Sequence, residues 1–336
     1  MLKDDALRRE EHEAIRNKVG YYDFTHQLLE VTGKDAEEFL NWIYVGKINT
    51  TPIDKARYTT MLNEQGEIID DVIIFRLDEK RFRISTLFIN ELIAWFDAHK
   101  GNYEVRYENI TEENAMYAVQ GPNSRELLNR VFDRPIDKKC KFFNMGRRSI
   151  QGIPVSVVRG GFTGELGFEL YVYPRYKDMI EEELEKAGAD LGIKKITTDV
   201  IIGSIPAEKG YVLMSDIAGT NPYEVGFGWT VAMDTDFIGK QATEKVLDEG
   251  GKHQLLGFEI NPDFEVEPEE EIRFNGTPVG KVTKFAYGYT VEKAIGYALV
   301  NNSVAIGDEV TIGNREIPAT LVEREWYDIE DTRPRS

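Results

Sequence analysis

Leu29-Glu30-Val31-Thr32-Gly33-Lys34-Asp35-Ala36-Glu37-Glu38-Phe39-Leu40-Asn41 recurs in outline as Tyr117-Ala118-Val119-Gln120-Gly121-Pro122-Asn123-Ser124-Arg125-Glu126-Leu127-Leu128-Asn129. Each copy reads as a strand, a glycine turn, an Asx or Ser cap and a helix. After the first copy, two alternating runs, Tyr58 to Leu62 and Ile68 to Leu77, flank the hairpin signal Asn63-Glu64-Gln65-Gly66. A strand at Arg81 to Ser85, a helix at Asn90 to His99 and a strand near Tyr103 to Tyr107 complete the unit. The second copy leads into strands near Arg147 to Ile150, Pro154 to Arg159 and Gly167 to Tyr173, then a helix from Tyr176 to Ala187. The same order twice predicts two α+β lobes, about 1–110 and 111–245, related by a pseudo-two-fold with a ligand crevice between them. Four of the nine positions from Gly33 and Gly121 onward are identical, so convergent β-α patterning without common origin is the competing explanation.

From His253 the pattern changes to short strands separated by Gly, Pro and Asn turns: Leu255 to Ile260, Glu271 to Phe274, Gly280 to Phe285, Ala294 to Val300, Glu309 to Ile312 and Ile317 to Glu323. Regular spacing without helices predicts a small β-barrel over 253–330. Lys245 to Lys252 reads as the linker before it, and the acidic Asp263 to Glu271 as an exposed loop.

With 41% hydrophobic and 11% aromatic residues, a chain of 336 residues can bury two or three cores. The single cysteine, Cys140, excludes an internal disulfide, and four scattered histidines leave no Cys/His cluster at metal-ligand spacing. No apolar run approaches the roughly 20 residues of a membrane helix, and the first eighteen residues are dense in charge. A cytoplasmic protein is the expectation. A net charge of −18 repels nucleic-acid backbone and anionic membrane surfaces.

Two stretches carry chemistry. Arg159-Gly160-Gly161-Phe162-Thr163-Gly164-Glu165-Leu166-Gly167-Phe168-Glu169-Leu170 looks like a phosphate loop, but a strand follows the glycines where such a loop needs a helix. Glu169 shares its strand face with Tyr171 and Tyr173 and could pair with a planar ligand edge bearing two N–H donors; a merely solvated glutamate is the alternative. In Ile68-Ile69-Asp70-Asp71-Val72-Ile73-Ile74, adjacent aspartates point to opposite faces, so one interrupts a buried apolar face. Such a carboxylate implies either a hydrogen-bonded structural role or chemistry.

These residues resemble the glycine cleavage T-protein family. The resemblance runs through Tyr22-Asp23-Phe24-Thr25-His26, Tyr58-Thr59-Thr60-Met61-Leu62, Ile69-Asp70-Asp71 and Val119-Gln120-Gly121-Pro122. It continues through the Phe162 to Glu169 stretch, Glu208-Lys209-Gly210-Tyr211, Gly226-Phe227-Gly228-Trp229 and Asp236-Phe237-Ile238-Gly239-Lys240. It implies two ferredoxin-like folate-binding lobes with swapped strands, a C-terminal β-barrel and tetrahydrofolate in the central crevice. It further implies Asp70 as the catalytic carboxylate near the folate N-5, Glu169 on the pterin edge, Trp229 lining the pocket, and Tyr58, Leu87, Arg159 and Phe162 among the folate-site residues.

The chain departs from the family pattern as well. Phe162 stands for a tyrosine, Leu87 for an asparagine, Gln27 for a methionine, Pro206 for an arginine, and Thr283-Lys284-Phe285 for Thr-Ser-Gly. The family's N-terminal arm is absent from the given sequence, which predicts a partner subunit or second copy near residues 4–18. With donor recognition so altered, the leading expectation is transfer of a one-carbon group from an N-, O- or S-methylated small molecule to tetrahydrofolate. A glycine-cleavage aminomethyltransferase using an aminomethyl-lipoyl carrier comes second, since a chain of −18 charge does not favour docking an acidic carrier. A non-catalytic folate-binding regulator comes third and would not need Asp70.

Overall fold

The computed structural model describes residues 2–336. Asp5 accepts a hydrogen bond from Arg8 N and starts α1 (Ala6–Asn17). Then follow β1 (Val19–Asp23), β2 (Gln27–Gly33), α2 (Ala36–Ile43), β3 (Lys55–Leu62), β4 (Ile68–Asp78), β5 (Arg81–Thr86), α3 (Ile89–His99) and β6 (Val105–Asn109). The second unit contains β7 (Ala115–Gln120), α4 (Ser124–Val131), β8 (Met145–Ile150), β9 (Ile153–Arg159), β10 (Gly167–Val172), α5 (Lys177–Gly188) and β11 (Ile193–Lys195).

The first sheet has the order β3-β4-β5-β2-β6 and the second β8-β9-β10-β7-β1-β11. The duplicated plan is plain in β3-β4-β5-β2 against β8-β9-β10-β7. The lobes differ where β1 intervenes. It pairs antiparallel with β7, Gly20 opposite Gln120, and parallel with β11, Val19 opposite Ile193. A strand from the start of the chain thus completes the second sheet, and no strand was expected at 19–23 from the sequence.

Asp35 and Asn123 stand at the N-caps of α2 and α4, but neither side chain makes the capping bond. Asp35 instead accepts from Glu104 N at 2.9 Å, tying the helix start to the approach of β6. Asx side chains often make such competing backbone bonds.

A π-helical segment at Asp199–Ser204 runs into α6 (Ile205–Lys209), followed by α7 (Met214–Ile217) and α8 (Lys240–Glu249). α8 takes up most of the stretch read as a linker, which shortens to Gly250 to Lys252. The strands β12 (His253–Ile260), β13 (Glu271–Phe274), β14 (Thr277–Gly288), β15 (Lys293–Asn301), β16 (Glu309–Ile312) and β17 (Ile317–Val322) close into a barrel ordered β12-β15-β14-β13-β16-β17. Most of the acidic Asp263 to Glu271 loop is exposed, though Val266 packs into the barrel core.

Each lobe buries one sheet face under its helices. Between the sheets, Ile73 and Phe75 of β4 meet Met116, Ala118, Val158 and Tyr171, with Phe75 edge-on to Tyr171 at 5.6 Å. The inward stripe of α1 is filled by the chain itself. Arg16 reaches Glu165 at 3.1 Å and Glu208 at 3.0 Å, while His12 bonds Ser204 at 2.9 Å and Thr290 at 2.8 Å. Among the described residues, no helix is long and apolar enough to cross a membrane.

Candidate active site

The strand period splits the two aspartates of β4 as their spacing requires. Asp70 opposite Met61 lies on the face of Ile68, Val72 and Ile74 and is only 2% exposed; Asp71 opposite Thr60 is half-buried on the face of Ile73 and Phe75. Thr86 Oγ1 donates to Asp70 Oδ2 at 2.8 Å, while Asp70 Oδ1 is enclosed and has no hydrogen-bond partner. The enclosed Tyr44 hydroxyl is also unpartnered. Burial pushes the Asp70 pKa up to about 8 against the Thr86 bond, so this carboxyl holds its proton far more tightly than an exposed aspartate.

Asp71 is raised less, to about 6, by burial opposed by the hydroxyl of Tyr58, which donates to Oδ2 at 3.0 Å. Tyr58 also lies nearly flat against Trp229, with centroids 6.2 Å apart at 25°, and edge-on to Phe227 at 5.7 Å. Trp229 sits in a short helical turn, Gly228–Thr230, and is 72% exposed. An indole held this far into solvent by two aromatic neighbours is a ready stacking wall for a flat ligand.

Glu169 projects from β10 toward the inter-sheet face and is buried. Tyr171 donates to its Oε2 at 2.9 Å, and burial lifts its pKa to about 7. Tyr171 touches Phe75, which shares a strand face with Asp71, so one aromatic contact links the two acidic sites.

The other sequence candidates scatter. Phe162 packs on Tyr211 with centroids 5.6 Å apart. Leu87 directly follows Thr86, the partner of Asp70, and is 57% exposed. Arg159, expected among the folate-site residues, turns its Nη atoms to the carbonyls of Cys140, Pro334 and Ser336 and so clasps the C-terminal tail. Glycines of the same loop make room for Gln120. A Cβ on Gly161 or Gly167 would stand 2.1 Å from Gln120 Oε1, an atom that instead accepts from Thr163 at 2.7 Å. Close packing, not phosphate binding, requires those glycines.

The sequence reading did not single out Thr86, Tyr44 or Phe227. Only the first had a usable signal, as the hydroxyl closing the strand beside β4. The geometry joins a stacking wall (Tyr58, Phe227, Trp229) to Asp71 on one face of β4, with Asp70 buried on the opposite face of that strand and Glu169 buried in the second sheet. Among the described residues, no group of three or more His, Cys, Asp or Glu is placed to hold a metal.

Comparison with known proteins gives these features a lineage. The GCVT N-terminal domain model matches residues 4–235, and the glycine cleavage T-protein C-terminal barrel domain model matches 253–328. An aminomethyltransferase of Halothermothrix orenii is 33% identical over 322 residues, covering 93% of this chain and 89% of that one. The Thermotoga neapolitana aminomethyltransferase is 32% identical over 333 residues, covering 95% and 89%. The crystal structure of glycine cleavage system aminomethyltransferase T from Bartonella henselae has the same fold, with a TM-score of 0.85 at 23% identity over 94% of this chain and 88% of that one. The relatives do not single out the small-molecule demethylases expected first from the sequence. With both family models matched in order along the chain, the protein belongs to the glycine cleavage T-protein family and is a one-carbon transferase.

Proposed function

We propose that the protein transfers the aminomethyl carbon of a lipoyl carrier protein to tetrahydrofolate. The aminomethyltransferase relatives support this donor over a methylated small molecule. The observation that carries the chemistry is the buried Asp70 carboxyl, bonded through one oxygen only. In this reading the folate N-5 is the nucleophile, so the protein must align two reactants and manage the two protons that leave N-5 and N-10 and end on the departing ammonia and the dihydrolipoyl thiol. Asp70 exchanges one of these protons, Glu169 accepts hydrogen bonds from the pterin edge, and Trp229 stacks on the ring. The residues fit such a ligand: Tyr171 engages only Oε2 of Glu169, and the Trp229 face is open.

The test is direct. Purified protein mixed with tetrahydrofolate and an aminomethyl-dihydrolipoyl carrier should release ammonia and form methylenetetrahydrofolate in equal amounts. Failure with the carrier, together with formation of methyltetrahydrofolate from an N-, O- or S-methylated small molecule, would transfer the assignment to a demethylase. Folate binding with no turnover from either donor class would leave a non-catalytic binding protein.

A further inference from the structure

Beside the aromatic wall, on the outside of the barrel, two cations converge on one tyrosine. Lys284 lies on β14 just past a register shift, with Nζ 5.4 Å from the Tyr297 ring centroid. Its Nζ is enclosed and has no hydrogen-bond partner; Asp216 Oδ2 of α7 stands 3.5 Å away. Arg324, just beyond β17, lies 6.0 Å from the same ring and gives one bond, Nη1 to the Val225 carbonyl at 3.1 Å. Its Nε is enclosed without a partner, and among the described residues no carboxylate lies within ion-pairing distance of it. Thr283 Oγ1 and Asp216 Oδ1 complete a set of four enclosed polar atoms left unsatisfied in one neighbourhood.

Charge counting there is lopsided. Lys284 and Arg324 face a single buried carboxylate, Asp216, whose Oδ2 is also engaged by Leu213 N at 2.8 Å. The other acids nearby, Glu323 and Glu325, are exposed, where solvent and salt screen them. Buried donors without acceptors are costly and native proteins rarely leave them so. A means of entry to Arg324 exists: it borders a cleft of about 370 Å³ with Val225, Gly226, Leu255, Leu256, Ile329 and the exposed Glu323 and Glu325, while Lys284 and Thr283 lie behind that lining. The next residue after that cleft's Gly226 is Phe227, which packs on Tyr58, so the cleft adjoins the aromatic wall. The Arg324 charge also acts on the Tyr58 hydroxyl, opposing the burial that raises its pKa.

We propose that Lys284 and Arg324, with Thr283, form a subsite that binds a carboxylate of a small-molecule substrate. The proposal depends on the transfer reading only for placing this subsite beside the reaction. Two sources supply the chemistry: the glutamyl carboxylates of a folate, or the carboxylate of an amino-acid-like donor. A carboxylate would give Arg324 a counter-ion, add a second beside Asp216 for Lys284, and supply acceptors for the Nζ, Nε and Oγ1 groups that lack a hydrogen-bond partner.

Calorimetry on the full chain and on Lys284→Met and Arg324→Met decides it, using two matched pairs of probes: tetrahydrofolate against its glutamyl α,γ-diamide, and N-methylglycine against N-methylglycinamide. Each variant is first checked for an unchanged thermal transition, and Lys284→Arg serves as the charge-retaining control if Lys284→Met fails to fold. At least one acid should bind about tenfold more weakly to the variants, as for a lost charged hydrogen bond, while its carboxylate-free counterpart changes less than about twofold. The pair that responds names the source. Unchanged binding of both acids, or equal weakening of acid and counterpart, overturns the subsite. If the wild-type protein fails to bind tetrahydrofolate, the transfer reading falls, and the N-methylglycine pair alone decides the subsite. Wild-type protein that prefers neither acid over its counterpart overturns it as well.

Discussion

The Thr86 hydroxyl donates to Asp70 Oδ2 at 2.8 Å from β5, two strands' edges meeting over one buried carboxyl. This bond favours the charged form, while burial favours the neutral one and wins. Asp70→Asn should therefore lower turnover at least about a hundredfold, the scale of a lost acid–base group, with tetrahydrofolate affinity little changed. Thr86→Val should keep activity but move the Asp70 limb of the kcat profile to higher pH, because the bond it removes stabilised the carboxylate. Steady-state rates from pH 6 to 9 check both; a limb that moves downward would refute the arrangement.

Stability carries the same sign. Asp70, Asp71 and Glu169 have folded pKa values raised by burial to about 8, 6 and 7, so the native state holds their protons more tightly than the unfolded chain. Their contribution is full below the ordinary carboxylate range and is lost as pH rises from there to about 6 for Asp71, 7 for Glu169 and 8 for Asp70. Asp70→Asn removes the largest of these losses. It should thus be more stable than wild type at pH 9, by a few kcal/mol, and gain little at pH 5. Urea unfolding at the two pH values measures the difference, and a gain independent of pH would contradict it.

Glu169→Gln replaces one acceptor oxygen by a donor. Tetrahydrofolate binding should weaken by about 1–3 kcal/mol, the range for a broken charged hydrogen bond. Tyr171→Phe frees Oε2 and should raise the Glu169 pKa further, since the hydroxyl lowers it. Calorimetry that finds full affinity in Glu169→Gln would place the pterin elsewhere.

Gly167→Ala should cost about 1–3 kcal/mol, as expected of overpacking, because its Cβ would stand 2.1 Å from Gln120 Oε1. Combined with Gln120→Ala, the clash disappears, and the pair should be less damaging than the sum of its parts. A double-mutant cycle by thermal melts gives the coupling. Strict additivity would mean that the glycine serves something other than Gln120.

The alternation of β4 and the glycine turns of the repeat were legible in the sequence because they follow from a period of two and from short-range backbone sterics. Hence Asp70 and Asp71 fall on the predicted opposite faces, and all six barrel strands stand where their turns bound them. Illegible were the relations set by distant packing. Nothing local in Val19 to Asp23 says that this segment joins the second sheet, and nothing local in Arg159 says that its partners are Pro334 and Ser336. Thr86, one residue before the exposed Leu87, escaped notice for the same reason: its importance lies in the neighbouring strand, not in its own.

Breaking the buried ion network under α1 should be the most damaging change away from the site. Arg16→Met leaves Glu165 and Glu208 without their shared cation, a loss of about 3–5 kcal/mol for a broken buried pair in a side chain that bridges both. Glu208 opposes the trend of the site acids. Burial alone would raise it, but the His12 hydrogen bond and the Arg16 charge hold it down to about 2. Its contribution is present above the ordinary carboxylate range and disappears as pH falls toward 2. Acid unfolding should begin at higher pH in Arg16→Met than in wild type, as read by far-UV circular dichroism.

The placement of β1 has a consequence for synthesis on the ribosome. Gly20 must wait for Gln120, and Val19 for Ile193, before its hydrogen bonds can close. At 5–20 residues per second, the nearer partner follows roughly 5–20 s later, while the first lobe's own strands are already able to pair. The nascent chain therefore carries a bare edge segment ahead of a sheet that can form without it, and any early association with another chain, or capture by a chaperone, has its opening there.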